Sequence, residues 1–239
     1  MTKTVKWALG SACAAWVLAG LGPLMTSLGW IPARAGFGLL LASLVPGLIA
    51  VVLGVAGIVR RACVAASRRW ALLALVLALG HAATLALPAA ESFDAPLIND
   101  LTTDPAVPPL FDPRGVAARA ARKPIGPPVA ETIAVQRENY PDLQSIELAL
   151  LPEDARARVK AVISELGWQS TFQTEDGLHF EATNTSPIFG FVDDVVIRLR
   201  PDGTNTLVDI RSRSRVGKGD LGANAARIRR FTRALVSDD

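Results

Sequence analysis

The residues best suited to chemistry lie between positions 193 and 224. Asp193, Asp194, Arg211, Ser212 and Asp220 are the candidate catalytic groups, and Arg213, Arg215, Lys218 and Asn224 the candidate ligand contacts. In hydrolysis a carboxylate takes a proton from a hydroxyl or water while an arginine stabilises developing negative charge. The supporting groups for such chemistry are thin. His179 is the one histidine outside the apolar runs, and it stands mid-strand with no cysteine or second histidine beside it. No nucleophile-elbow sequence surrounds Ser212 or Ser214. Oxygen ligands from Asp100, Asp104, Asp193, Asp194 and Asp220 with Asn224 suit Ca²⁺, but arginines alternate with them, so Asp–Arg pairing is the expected use. No metal and no cofactor is expected.

Gly217-Lys-Gly219-Asp-Leu-Gly222 fits G-x-G-x-x-G after a strand and before a helix. A dinucleotide site also needs a second parallel strand and an acidic ribose ligand about 20 residues on. Only one helix follows, the acids at that distance are Asp238 and Asp239, and Asp220 would repel a pyrophosphate. Asp220 reads instead as a helix N-cap.

These residues must be held by a hairpin. Phe191 to Arg200 and Asn205 to Ser214 alternate as strands about Pro201-Asp-Gly-Thr204. If Arg200 faces Asn205, then Val195, Ile197, Leu199, Val208 and Ile210 share the core face. Asp194, Arg198, Arg200, Asp209, Arg211 and Arg213 share the other, with Asp194 across from Arg211 and Arg198 diagonal to Asp209. Asp193 and Ser212 turn toward the core side. Upstream, Leu143 to Leu150 reads as a strand, and Pro152-Glu-Asp opens a helix that Gly167 stops. Trp168 to Thr174 and Leu178 to Thr183 read as strands. Leu221, Ala225, Ile228, Phe231 and Leu235 form the apolar face of a last helix, with Arg227, Arg230 and Arg233 exposed. The order β-α-β-β-β-β-α predicts an α+β soluble domain, an antiparallel sheet of about five strands with two helices on one face.

The first 90 residues are different material. All 22 acidic residues lie after position 90, whereas Lys3, Lys6, Arg34, Arg60, Arg61, Arg68 and Arg69 precede it. The overall +3 is therefore +7 before residue 91 and −4 after it. Apolar runs at about 7–28, 37–59 and 70–90 contain no Asp, Glu, Lys or Arg. At about 1.5 Å per residue each reaches roughly 31–35 Å, enough for a hydrocarbon core of about 30 Å. This predicts a membrane α-helical bundle of three spans in residues 1–90 and a second domain in 91–239. Basic flanks at the N-terminus and in the Arg60–Arg69 loop predict that both are cytoplasmic. The second domain then lies outside the inner membrane, in the periplasm. Pro32-Ala-Arg-Ala35 is a poor cleavage site, so the first span is expected to be retained.

Gly10 with Ala14, Ala50 with Gly54, and Ala78 with Ala82 give small-residue spacing for close helix packing. Pro23 and Pro46 are expected to bend their spans. His81, the one imidazole inside a span, is expected to be neutral and bonded to a backbone carbonyl, with no carboxylate to relay protons. The pI of about 9.2 comes from the membrane flanks and does not indicate nucleic acid. The second domain has no cysteine, hence no disulfide.

Residues 91–128 hold eight prolines and are expected to be extended and irregular. Phe93, Leu97, Ile98, Leu110 and Phe111 favour docking on the domain over a free linker. Several blocks carry a resemblance: Ile98-Asn-Asp-Leu-Thr-Thr-Asp-Pro105 with Pro108-Pro109, Tyr140-Pro-Asp142, Gly167-Trp168, Phe191-Val-Asp-Asp-Val-Val-Ile-Arg198, and Arg211-Ser-Arg-Ser-Arg-Val-Gly217 with Asp220-Leu-Gly-x-Asn224. Over about residues 97–236 the chain resembles the domain-of-unknown-function family 1499. The resemblance implies a fold, a bacterial membrane setting and membership of the proline-rich stretch in the domain, and no reaction.

The expected function is a membrane-anchored envelope module that binds a partner protein or envelope ligand, in contact with the lipid bilayer and open to homo-oligomerisation. No nucleic acid and no dinucleotide is expected. The alternative is a hydrolase or metal-dependent enzyme built on the Asp193, Asp194, Arg211, Ser212 and Asp220 cluster.

Overall fold

The computed structural model describes residues 1–59, 65–90, 92, 94–122 and 124–237. Arg60, Arg61, Cys63, Glu91, Phe93, Asp238 and Asp239, used in the sequence readings, lie outside the described residues. Two compact units form, one from residues 1–93 with 187–190 and one from residues 94–186 with 191–239.

The first unit is helical. Helix α1 (Lys3–Ser27), α2 (Ala33–Ala42) with α3 (Leu44–Val59), and α4 (Ala65–Ala90) supply three segments long and apolar enough to cross a membrane, at 3–27, 33–59 and 67–87. By length and composition this is a multi-pass membrane protein. Pro23 leaves α1 continuous, whereas the second span breaks at Ser43. The Pro46 ring conflicts with the carbonyl of Ala42, four residues earlier, and α2 ends there.

Small residues line the helix contacts: Ala8, Ala12 and Ala15 of α1, Gly47, Ala50, Gly54 and Gly57 of α3, and Ala71, Ala74 and Ala78 of α4 are buried. Gly10, Ala14 and Ala82, expected in that role, are exposed. Alanine-rich helices offer the i, i+4 spacing on several faces, so spacing alone does not choose the packed one. His81 is buried, and its Nε2 lies 2.9 Å from Ser43 Oγ rather than against a backbone carbonyl. The Ser43 hydroxyl donates to Leu40 O, so the imidazole N–H is the donor to it. The Trp16 ring meets His81 edge-on.

The second unit is an antiparallel six-stranded sheet with helices. Its strands are β1 (Asp100–Thr102), β2 (Ile146–Leu148), β3 (Gln169–Gln173), β4 (His179–Thr185), β5 (Val192–Asp202) and β6 (Asn205–Ser214). The order is β1-β6-β5-β4-β3, and β2 pairs with the first half of β6 beside β1. The helices are α5 (Val116–Ala121), α6 (Ala130–Asn139), α7 (Pro152–Glu165) and α8 (Ala223–Val236). From β2 onward the order is the expected one. The sixth strand and two further helices lie in or just after the proline-rich stretch, which is therefore not wholly irregular. Between Pro96 and Pro105 there is room for three rungs, pairing Asp100, Leu101 and Thr102 with Arg213, Ser212 and Arg211.

One sheet face carries the main core. Val195, Ile197, Leu199, Val208 and Ile210 join Val159, Val162 and Ile163 of α7 and Ala225, Ile228 and Phe231 of α8. Trp168 stacks on Phe231. The other face is covered by the proline-rich stretch and α5, through Phe111, Ala117 and Ile125 over Val196. Helices thus lie on both faces, not one. Of the expected anchors, Ile98 and Phe111 are buried while Leu97 and Leu110 are exposed.

The hairpin register differs from the expected one. Asp202 faces Asn205 and Arg200 faces Leu207, with Gly203 and Thr204 as a two-residue turn. Gly203 has φ +61°, a conformation glycine adopts without penalty. Pro201 and Asp202 extend the strand instead of joining the turn. A two-residue shift keeps every side chain on its face, so the core assignment holds and the cross-strand partners change.

Candidate functional site

The sheet separates the nine sequence-chosen residues into two groups. On the α8 side, Asp193 pairs with Arg227 Nη2, and both are buried. Ser212 Oγ donates to Asn224 Oδ1 at 2.6 Å and accepts from Arg227 Nη1 at 2.9 Å. Asn224 Nδ2 donates to Asn99 O and Ser214 Oγ. Arg227 is therefore not an exposed helix residue: it lies one turn from Phe231 on the buried side, held there by Asp193. Its Nε has no hydrogen-bond partner.

Asp220 accepts from the backbone N–H groups of Gly222 and Asn224 at 2.9 and 2.7 Å. Gly222 is the N-cap residue itself, and Asp220 performs the capping from two positions upstream. Burial pushes its carboxyl up despite those bonds. Leu221, expected on the apolar face of α8, instead precedes the helix, 63% exposed and with φ +56°.

On the opposite face, Asp194 is gripped by Arg215 through Nε and Nη2, with Nη2 at 2.7 Å. It faces Arg213, not Arg211, across the hairpin. Arg211 faces Val196 and is fully buried. Its guanidinium makes a fork to Asp100 at 2.8 and 2.7 Å and donates to the Pro109 and Gly126 carbonyls. The same group lies 5.3 Å above the Phe111 ring. Arg213 stands 3.7 Å from Asp100. Of the nine residues, Lys218 stands out as an exposed cation.

Arg198 faces Asp209 directly rather than diagonally. The buried Asp209 accepts from Arg198, Arg200 and Ser145. Burial alone would raise its carboxyl, but the bonds from Arg200, Ser145 and Arg198 outweigh it and hold it below 3.8. A folded carboxyl that loses its proton more readily than the unfolded one stabilises the fold above the unfolded pKa. That contribution disappears as pH falls from 3.8 through the lower folded value. Acid unfolding followed by far-UV circular dichroism is therefore expected to steepen below about pH 4, and Asp209→Asn should flatten that limb.

A cluster absent from the sequence reading lies farther along the same face. His179 Nε2 is 3.2 Å from Glu181 Oε1, two residues along β4 and so on the same side of the strand. Glu181 is 1% exposed, accepts the Asp112 N–H at 2.6 Å, and leaves Oε2 without a partner. A side chain at Gly115 would collide with this carboxylate, which explains the glycine there. The His-x-Glu spacing was the available signal. Asp112 is held down at about 2, mainly by the Arg114 guanidinium bonded to it.

Arg114 also lies 5.3 Å over the Phe172 ring, whose edge meets His179. Arg114 and Phe172, with Gln173, Thr174, Glu175 and Asp176, line an open cleft of about 580 Å³ beside β3. Among the described residues, no group of three or more His, Cys, Asp or Glu could hold a metal ion.

Residues 100–235 match the family described as "Protein of unknown function (DUF1499)". The chain belongs to the DUF1499 family. None of the curated proteins searched matches it. The DUF1499 match begins at Asp100, the carboxylate that holds Arg211, and ends at Leu235, a core residue in the last turn of α8. The proline-rich stretch from residue 100 on is thus part of the DUF1499 domain. The family description names no activity.

Proposed function

We propose that this chain is a membrane-anchored envelope module. In this reading the N-terminus is cytoplasmic, and the DUF1499 domain stands outside the inner membrane and binds a partner protein or envelope ligand. The placement rests on Lys3, Lys6, Arg60, Arg61, Arg68 and Arg69 at the two flanks read as cytoplasmic, against Arg34 alone in the loop between the first two spans.

The observation favouring binding over catalysis is the contrast between the two kinds of site. The charged and hydroxyl groups chosen for catalysis are enclosed in ion pairs, a cap or a buried hydrogen-bond network. The cleft beside β3 presents Arg114 with its side chain 74% exposed over an aromatic ring, with Glu175 and Asp176 alongside. Arginine on an aromatic platform is a favoured element of recognition surfaces.

In-cell photo-cross-linking from position 173 is expected to yield one discrete adduct. That adduct should be lost in Arg114→Glu with Phe172→Ser, a variant that keeps its circular dichroism spectrum. A folded variant retaining the adduct, or repeated absence of any adduct in the wild-type chain, would reject the cleft as the binding site.

A further inference from the structure

The strand register defines two ends of the sheet. The hairpin turn at Gly203 and Thr204 marks one. The other gathers residues 95–99, which lead into β1, and the loop from Arg215 to Gly222, which follows β6. Asp100 faces Arg213 and Ser214 N bonds Asn99 O, so the two segments emerge together.

That second end carries large apolar side chains in water. Leu97 is 81% exposed and Leu221 63% exposed. Leu221 also holds φ +56°, a conformation costly for a branched side chain, and glycines flank it at positions 219 and 222. A Cβ at Gly219 would lie 2.9 Å from Leu97 Cδ2, and one at Gly222 would lie 3.8 Å from Ala95 Cβ, so the loop and the entering segment pack as one surface. Lys218, in the same loop, is exposed.

Chain length limits how far this surface can stand from α4. Helix α4 ends at Ala90, and Leu97 follows seven residues later. At no more than about 3.6 Å per residue, Leu97 lies within roughly 25 Å of the end of α4 whatever path the chain takes. An exposed leucine pair tethered so close to a bilayer has the lipid boundary as its nearest apolar phase.

We propose that the Leu97–Leu221 end of the sheet is a lipid-docking surface. The two leucines enter the boundary between headgroups and acyl chains, and Lys218 stays at headgroup level. Burying both side chains in lipid offsets the backbone cost at Leu221 and holds the domain in one attitude over the membrane. This does not depend on the partner-binding reading, which uses the cleft beside β3.

The test uses the full chain with Cys13→Ser and Cys63→Ser, reconstituted in phosphatidylethanolamine–phosphatidylglycerol vesicles. Spin labels are placed singly through Leu97→Cys, Leu221→Cys and Thr204→Cys. Oxygen should reach the labels at 97 and 221 and a water-soluble nickel chelate should not, at a depth of about 5–10 Å in the headgroup–acyl boundary. The label at 204 should show the reverse. Nickel access at 221 equal to that at 204 would overturn the proposal. Shielding from both quenchers at 97 and 221 would also overturn it, because the cover would then be protein. In vesicles of phosphatidylcholine alone the depth should persist. Its loss there would assign docking to charge at Lys218 and refute the apolar mechanism.

Discussion

Replacing Arg211 with methionine is expected to destabilise the DUF1499 domain by about 3–5 kcal/mol, the range for breaking a buried ion pair from one side. Four groups depend on this guanidinium: the Asp100 carboxylate, the Pro109 and Gly126 carbonyls, and the Phe111 ring. Methionine fills similar volume but donates nothing. Asp100, only 14% exposed, then keeps its charge with Arg213 alone beside it, at 3.7 Å. The effect should appear first as loss of amide-exchange protection at Thr103 and Ser214, which bond Ile210 O and Asn99 O across the β1 edge. Adding Asp100→Leu to Arg211→Met should recover much of the loss, because the orphaned charge is gone. Recovery is incomplete, since Pro109 and Gly126 still lack their donor. A single-variant cost below about 1 kcal/mol would mean that Arg211 does not clamp the proline-rich stretch to the sheet.

The second large effect is expected at Asp193, and its neighbour Asp194 supplies the control. Asp193→Ala leaves Arg227, with its side chain 8% exposed, facing Ser212 and Asn224 without a counter-charge. The expected cost is again about 3–5 kcal/mol, with loosening of α8. Asp194→Ala releases Arg215, whose side chain is already 28% exposed and can turn to water. The expected cost there is about 1 kcal/mol or less. Paired denaturation curves of the two variants measure the difference. An enzyme centred on these residues would behave otherwise. Asp193→Ala would then retain wild-type stability while a deletion phenotype went uncomplemented, and that outcome would restore the catalytic reading.

The reasons for these two expectations were only partly legible in the sequence. Strand alternation fixed which hairpin residues face the core, because Val195, Ile197, Val208 and Ile210 allow only one parity. It could not fix the register, since a shift of two residues keeps that parity. Pro201 looked like part of the turn, which moved Asp194 opposite Arg211 instead of Arg213. Asp100 and Arg211 are 111 residues apart, and no local pattern links them. The proline content of residues 91–128 signalled extended, irregular backbone, and it obscured both the three rungs of β1 and the helix α5.

Gln136 shows a similar limit. Its side-chain amide accepts from Thr102 N and donates to Thr102 O, finishing the β1 edge as a one-residue strand. Nothing in its neighbourhood marks it. Arg227 was misread because arginine at a helix position between apolar residues looks solvent-facing until a buried aspartate is found across from it. For His81 the expected partner is a backbone carbonyl, whereas the structure gives it Ser43 Oγ. Ser43 is 38 residues away, at the break in the second span. In each case local chemistry named the residue and long-range topology named the partner.

The DUF1499 domain is proposed to stand outside the cytoplasmic membrane at the end of three spans. Reporter fusion after residue 239 tests it most directly. A phosphatase that folds only in an oxidising compartment should be active there, and a fluorescent protein that matures only in the cytoplasm should stay dark. A silent phosphatase with a bright fluorescent fusion, both present at full length, would put the domain in the cytoplasm and contradict the account.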